Sequence, residues 1–182
     1  MLTAQEKKRN NIAEYILYMW QVEDLIRAHQ CDIVLIRERL LPGYKVSKEK
    51  LEEIDKWWDN LTEMIKLENK NKKGHLQILI NTVNDVNQLH LKLLNNPKFA
   101  PYLINFQSIL PLLKELESKT SPKPSNDIEL MLSAIYNSFL LKLKGQEVTK
   151  DTEQALKAFA QFLAMLSKKY KEDQEGELDF DD

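Results

Sequence analysis

The stretch Leu51-Glu52-Glu53-Ile54-Asp55-Lys56-Trp57-Trp58-Asp59-Asn60-Leu61-Thr62-Glu63-Met64-Ile65 decides the fold class. Leu51, Ile54, Trp58, Leu61 and Ile65 recur three and four apart, and charges fill the other side. That period is the signature of a helix with one buried face. Ser47 stands where an N-cap is expected, and Asn69 to Gly74 reads as the turn that follows.

Working outward, the same period recurs. Ile12, Ile16, Met19, Val22 and Ile26 make one face of a first helix, with Thr3 and Glu6 in capping-box spacing ahead of it. Gln30-Cys31-Asp32 reads as a break. A short helix, 33 to 41, stops at Pro42-Gly43. A fourth helix carries Leu76, Leu79, Val83, Val86 and Leu93 and ends at Asn95-Asn96-Pro97. In the fifth, the apolar phase continues across Pro111, so one kinked helix is expected. Asn126 and Glu129 open a sixth helix, 126 to 143, which is apolar on most sides and is expected to be central. Gly145 and a short loop to Thr149 imply a hairpin with a seventh. The expectation is an all-α, single-domain bundle of six or seven helices over residues 1–171. The acidic tail, 172–182, is expected to be disordered.

Composition limits function. The 182 residues carry 26 Lys and Arg against 28 Asp and Glu, a net charge of −2. Nucleic-acid binders need a basic excess to neutralise phosphate, so nucleic acid is not expected as a partner. The clusters Lys7-Lys8-Arg9 and Lys66 to Lys73 read as solvated surface. With one cysteine, Cys31, no intrachain disulfide can form. No segment has signal-peptide or membrane-span character, so the expected setting is cytoplasmic.

Enzyme templates are absent: four glycines leave no room for phosphate-cradling loops, and no G-x-S-x-G occurs. The residues three before His29, His75 and His90 are Ile26, Lys72 and Asn87, so the di-iron Glu-x-x-His motif is missing. No metal and no cofactor are expected, and Cys31 reads as a structural thiol.

Polar residues on apolar faces are the candidates for chemistry. Glu23 is in phase with Ile12, Ile16, Met19 and Ile26, and a carboxylate there must be paired or neutral. Arg27, one turn on, is its expected partner. Asn87 and His90 fall among Val83, Val86 and Leu93. If Glu23, Arg27, Asn87 and His90 converge, they form a ligand pocket with an acid or base, an anion clamp and a proton carrier. The competing expectation is a satisfied structural network. Trp20 and Trp57 lie at stripe edges and are candidate partner contacts. The leading expectation is a non-enzymatic module that binds a protein partner or itself; the alternative is a small-molecule binder or enzyme using the polar cluster.

The run Asn11-Ile12-Ala13-Glu14-Tyr15-Ile16-Leu17-Tyr18-Met19-Trp20-Gln21-Val22-Glu23-Asp24-Leu25-Ile26-Arg27-Ala28, with Leu143-Lys144-Gly145-Gln146-Glu147-Val148-Thr149, resembles an uncharacterised bacterial family, a domain of unknown function. The resemblance implies a helical bacterial protein of this length and brings no activity and no site residues.

Overall fold

The computed structural model describes residues 2–180. Among them are eight α-helices and no strand: α1 (Leu2–Asn10), α2 (Ile12–Ala28), α3 (Ile33–Arg39), α4 (Lys48–Leu67), α5 (Gln77–Asn95), α6 (Ala100–Lys119), α7 (Asp127–Leu143) and α8 (Lys150–Gln174). The helix beyond the expected count comes from a break at Asn11, which divides the expected first helix into α1 and α2. Asn10-Asn11 is a poor helix interior, because asparagine side chains compete for the backbone.

The chain divides into two compact units that interleave in sequence. Met1–Lys8 and Glu14–Asn81 form the first; Arg9–Ala13 and Thr82–Asp182 form the second.

In the first unit, α2 buries Ile16, Met19, Val22 and Ile26. Gln30 and Cys31 turn the chain with φ of 59° and 54°. Asp32 then caps α3, accepting from the Val34 N–H at 2.8 Å. On α4 the opening stretch behaves as its period requires: Ile54, Trp58, Leu61 and Ile65 are buried. The Trp58 indole N–H reaches the Tyr44 hydroxyl at 3.3 Å.

In the second unit, α6 runs unbroken through Pro111, which sits on its exposed side. Packing pairs α6 with α7, α6 with α8 and α7 with α8. The Gln146 N–H returns to the Leu141 carbonyl at 3.0 Å, and Gly145 takes a φ of 70°. That is the glycine-dependent helix stop that turns α7 into α8. The Ser167 hydroxyl accepts the Ala13 N–H at 3.2 Å, which satisfies a donor in the first turn of α2.

Two expectations need correction. α7 is central on most sides only in its first half, where Ile128, Leu130, Met131 and Leu132 are buried; farther on one side stays buried at Tyr136 and Ser138, while Phe139 and Leu143 are 37% and 68% exposed. The expected disorder from Glu172 does not hold over the described residues. α8 continues to Gln174, and Phe180 packs on Phe99 with ring centroids 5.3 Å apart. Asn96 donates to the Phe180 carbonyl at 3.1 Å, and Lys98 pairs with Asp179 at 3.3 Å. An aromatic residue near the end is enough to dock an otherwise acidic segment. Asp181 and Asp182 lie outside the described residues.

Candidate functional site

Glu23 lies mid-helix on the apolar face of α2 and is 1% exposed. A buried carboxylate must find donors, and Glu23 finds them at the mouth of α5. One oxygen accepts the Leu76 backbone N–H at 2.7 Å; the other accepts from His75 Nδ1 at 2.6 Å. A carboxylate only accepts, so Nδ1 carries the proton and Nε2 is left on the far edge of the ring. That ring lies flat against Trp20, with centroids 4.2 Å apart and planes 16° apart. A second carboxylate, Glu68, accepts the Gln77 N–H at 2.7 Å. Two acidic groups thus cover the start of α5, where unpaired N–H groups and the helix dipole favour negative charge.

Arg27 does a different job from the one expected of it. Its NH2 is 3.9 Å from Glu23 Oε2, a loose pairing. Its closer partners are Asp24 at 2.7 Å, the Lys70 carbonyl at 2.9 Å and the Gly74 carbonyl. All three guanidinium nitrogens of Arg27 are engaged by protein acceptors. It ties the 68–76 loop to α2, and Glu23 completes the tie. Gly74 takes a φ of 86° in that loop, a conformation that favours glycine.

His90 and Asn87 belong to the second unit. His90 is 1% exposed. Its Nδ1 lies 2.7 Å from the Tyr102 hydroxyl. Phe106 and Phe162 stand edge-on to the imidazole at centroid distances of 4.8 and 5.7 Å. Nε2 is buried without a hydrogen-bond partner. Burial lowers the His90 pKa to about 4, so the ring is neutral near pH 7, and burial pushes the Tyr102 hydroxyl up. Asn87 is half-buried nearby in sequence.

The four residues proposed as one pocket therefore divide two and two between the units, and each pair's hydrogen bonds close within its own unit. Trp20 offers no partner surface, because it is buried under His75. Trp57 is half-buried, packed edge-on against Trp58 at 5.1 Å. Among the described residues, no three of His, Cys, Asp and Glu are grouped to hold a metal ion. None of the helices among the described residues is long and apolar enough to cross a membrane.

Sequence reasoning missed His75, whose Nδ1 contact spans 52 positions. The one local signal is its place directly before the first turn of α5. It also missed an open groove of about 390 Å³ in the second unit, bounded by α6, α7 and α8, where Leu112, Leu116, Leu141 and Phe159 line the wall together with Asn137, Asp151 and Thr152. Ser138, 8% exposed, lies among them.

A family model described as a domain of unknown function (DUF4924) matches residues 1–177, and the chain belongs to that family. The match runs through both units. No curated protein and no solved structure matches the chain.

Proposed function

We propose that this member of DUF4924 is a non-enzymatic helical interaction module that pairs with a second copy of itself through the second half of α7. One observation carries the reading. Ile135, Phe139 and Leu143 follow one another at i, i+4 and i+8, and the last two are 37% and 68% exposed. A helix apolar on most sides needs cover on most sides, and the second unit leaves the Phe139 and Leu143 side of α7 open. Exposed apolar stripes of this kind mark association surfaces.

The charges around the stripe favour a copy of the same chain. Lys142 and Lys144 are matched in number by Glu147 and Glu153 nearby in the sequence, and Lys142 lies 4.0 Å from Glu153. The whole chain has a net charge of only −2. A twofold pairing therefore sets no excess of one sign against itself, and each stripe is the other's apolar complement. The polar cluster around Glu23 supports an enzymatic reading less well, since its carboxylate and guanidinium are committed to the 68–76 loop. A cytoplasmic setting belongs to the same proposal: Cys31, the sole cysteine, is free and buried.

Light scattering on the full chain tests it. The expected mass is twice 21.4 kDa, returning to 21.4 kDa in Leu143→Glu with helicity retained. A wild-type protein that stays monomeric at high micromolar concentration overturns the reading.

A further inference from the structure

Ahead of α6 the sequence Asn96-Pro97-Lys98-Phe99 builds a small seat in the second unit. Asn96 caps the short turn Pro97–Phe99, and its Oδ1 accepts the Lys98 N–H at 2.9 Å. Proline at the first position of that turn fixes φ there and stiffens it. Capping uses the oxygen of the Asn96 amide and leaves its NH2 group to donate elsewhere.

The segment after α8 takes up that donor. Asn96 Nδ2 donates to the Phe180 carbonyl at 3.1 Å. Lys98 pairs with Asp179 at 3.3 Å, and Phe99 packs on Phe180 with ring planes 49° apart. From α8, the Lys169 ammonium lies over the Phe99 ring, 5.7 Å from its centroid. Two consecutive residues are thus read in three ways. The amide contact to a carbonyl is blind to sequence, the ammonium selects an acidic side chain, and the ring selects an aromatic one. Main-chain contacts for affinity and side-chain contacts for specificity are how domains read short peptide segments.

The present occupant is loosely held. Gly176 ends α8 with a φ of 72°, and the Glu177 N–H returns to the Glu172 carbonyl at 2.8 Å. Beyond that stop, the contacts named above are one ion pair, one hydrogen bond and one ring pair. Asp179 is 75% exposed, and an ion pair that open adds little and is screened by salt. The family match ends at residue 177. Asn96, Lys98 and Phe99 therefore lie inside the family's domain, whereas Asp179 and Phe180 lie past it.

We propose that Asn96, Lys98 and Phe99 form a docking site for an extended acidic–aromatic segment of a partner protein, with residues 177–180 as its competitor in cis. The chain's own Glu-Leu-Asp-Phe supplies the pattern that the seat accepts. A partner segment with an acidic residue directly before an aromatic one meets the same three groups. A tethered competitor acts at an effective concentration in roughly the millimolar range, so the seat opens only to a partner that outcompetes it.

Fluorescence anisotropy tests this with a labelled, end-capped peptide, Glu-Gly-Glu-Leu-Asp-Phe, titrated with the full chain. Phe180→Ala releases the competitor and leaves the seat intact. It should bind the peptide saturably and about tenfold more tightly than the wild type. In that background Phe99→Ala should abolish binding, and Lys98→Glu, an exposed change with little bearing on the fold, should weaken it about tenfold. A peptide with alanine in place of the phenylalanine should not bind. No saturable binding to Phe180→Ala overturns the site, as does unchanged affinity in its Lys98→Glu variant. Equal affinity in the wild type and Phe180→Ala overturns the competitor role. A dimer that persists in Leu143→Glu and is lost in Phe180→Ala would give the seat to the same segment of a second copy and overturn the partner assignment. Peptide affinity should be the same with and without Leu143→Glu, because this site does not depend on the pairing of α7.

Discussion

Glu23 and His90 are equally buried, each on the apolar face of its helix, yet their surroundings obey different rules. Glu23 is a carboxylate, and both its oxygens are met by donors at 2.6 and 2.7 Å. His90 is neutral, has one partner in Tyr102, and leaves Nε2 unmet among aromatic rings. The contrast reflects cost. A charge stranded in the interior is far more expensive than one unsatisfied neutral nitrogen. The first cluster therefore had to be built to completion, while the second could tolerate a missing partner.

Removing Glu23 is the harshest way to break this comparison. Glu23→Ala leaves the Leu76 N–H and the His75 Nδ1–H buried or half-buried without an acceptor and loosens the 68–76 loop from α2. The expected loss is about 4 kcal/mol in denaturant unfolding, in line with breaking a buried charged contact. A loss under about 1 kcal/mol would mean that Arg27 holds the loop by itself and that burial of Glu23 costs as much as its contacts return.

The second test uses pH. In the unfolded chain His90 takes up a proton near pH 6.5, whereas in the folded protein burial delays this to about 4. Between those values the unfolded state binds more protons, so stability falls as pH falls. The loss begins near 6.5, is complete near 4, and amounts to about 3 kcal/mol. Unfolding curves across that window should slope less steeply in His90→Phe than in the wild type. Parallel slopes would show that protons reach Nε2 in the folded protein.

The smallest effects sharpen the same contrast at pH 7. His90→Phe alone strands the Tyr102 hydroxyl and should cost about 1 kcal/mol. His90→Phe with Tyr102→Phe removes both polar partners from an aromatic cluster and should be near neutral in the same assay. A large loss in the double variant would mean that the imidazole edge makes a specific contact with the Phe106 or Phe162 ring.

The elements themselves were written in local pattern. The period of Ile54, Trp58, Leu61 and Ile65, the caps at Ser47, Asn126 and Thr149, and the stop at Gly145 lie within a turn or two of what they control. Local signals also required that Glu23 be paired, because desolvating a carboxylate is costly wherever its face packs. They did not say with what. Arg27 was the nearest cation along the chain, but the loop carbonyls and Asp24 compete for it, and a helix mouth offers two donors at better distance.

What the sequence alone determined is the class of structure, all helical, with no membrane-crossing helix, and the need of certain polar residues for partners. These follow from the 3.6-residue period and from solvation costs that each residue carries wherever it goes. Tertiary structure decided which polar residues share a unit, how far along α7 the cover extends, and that Phe180 docks the acidic end. It also set the groove that α6, α7 and α8 bound. Each of these depends on how helices far apart in the chain fill one another's surfaces, and no local period encodes that packing.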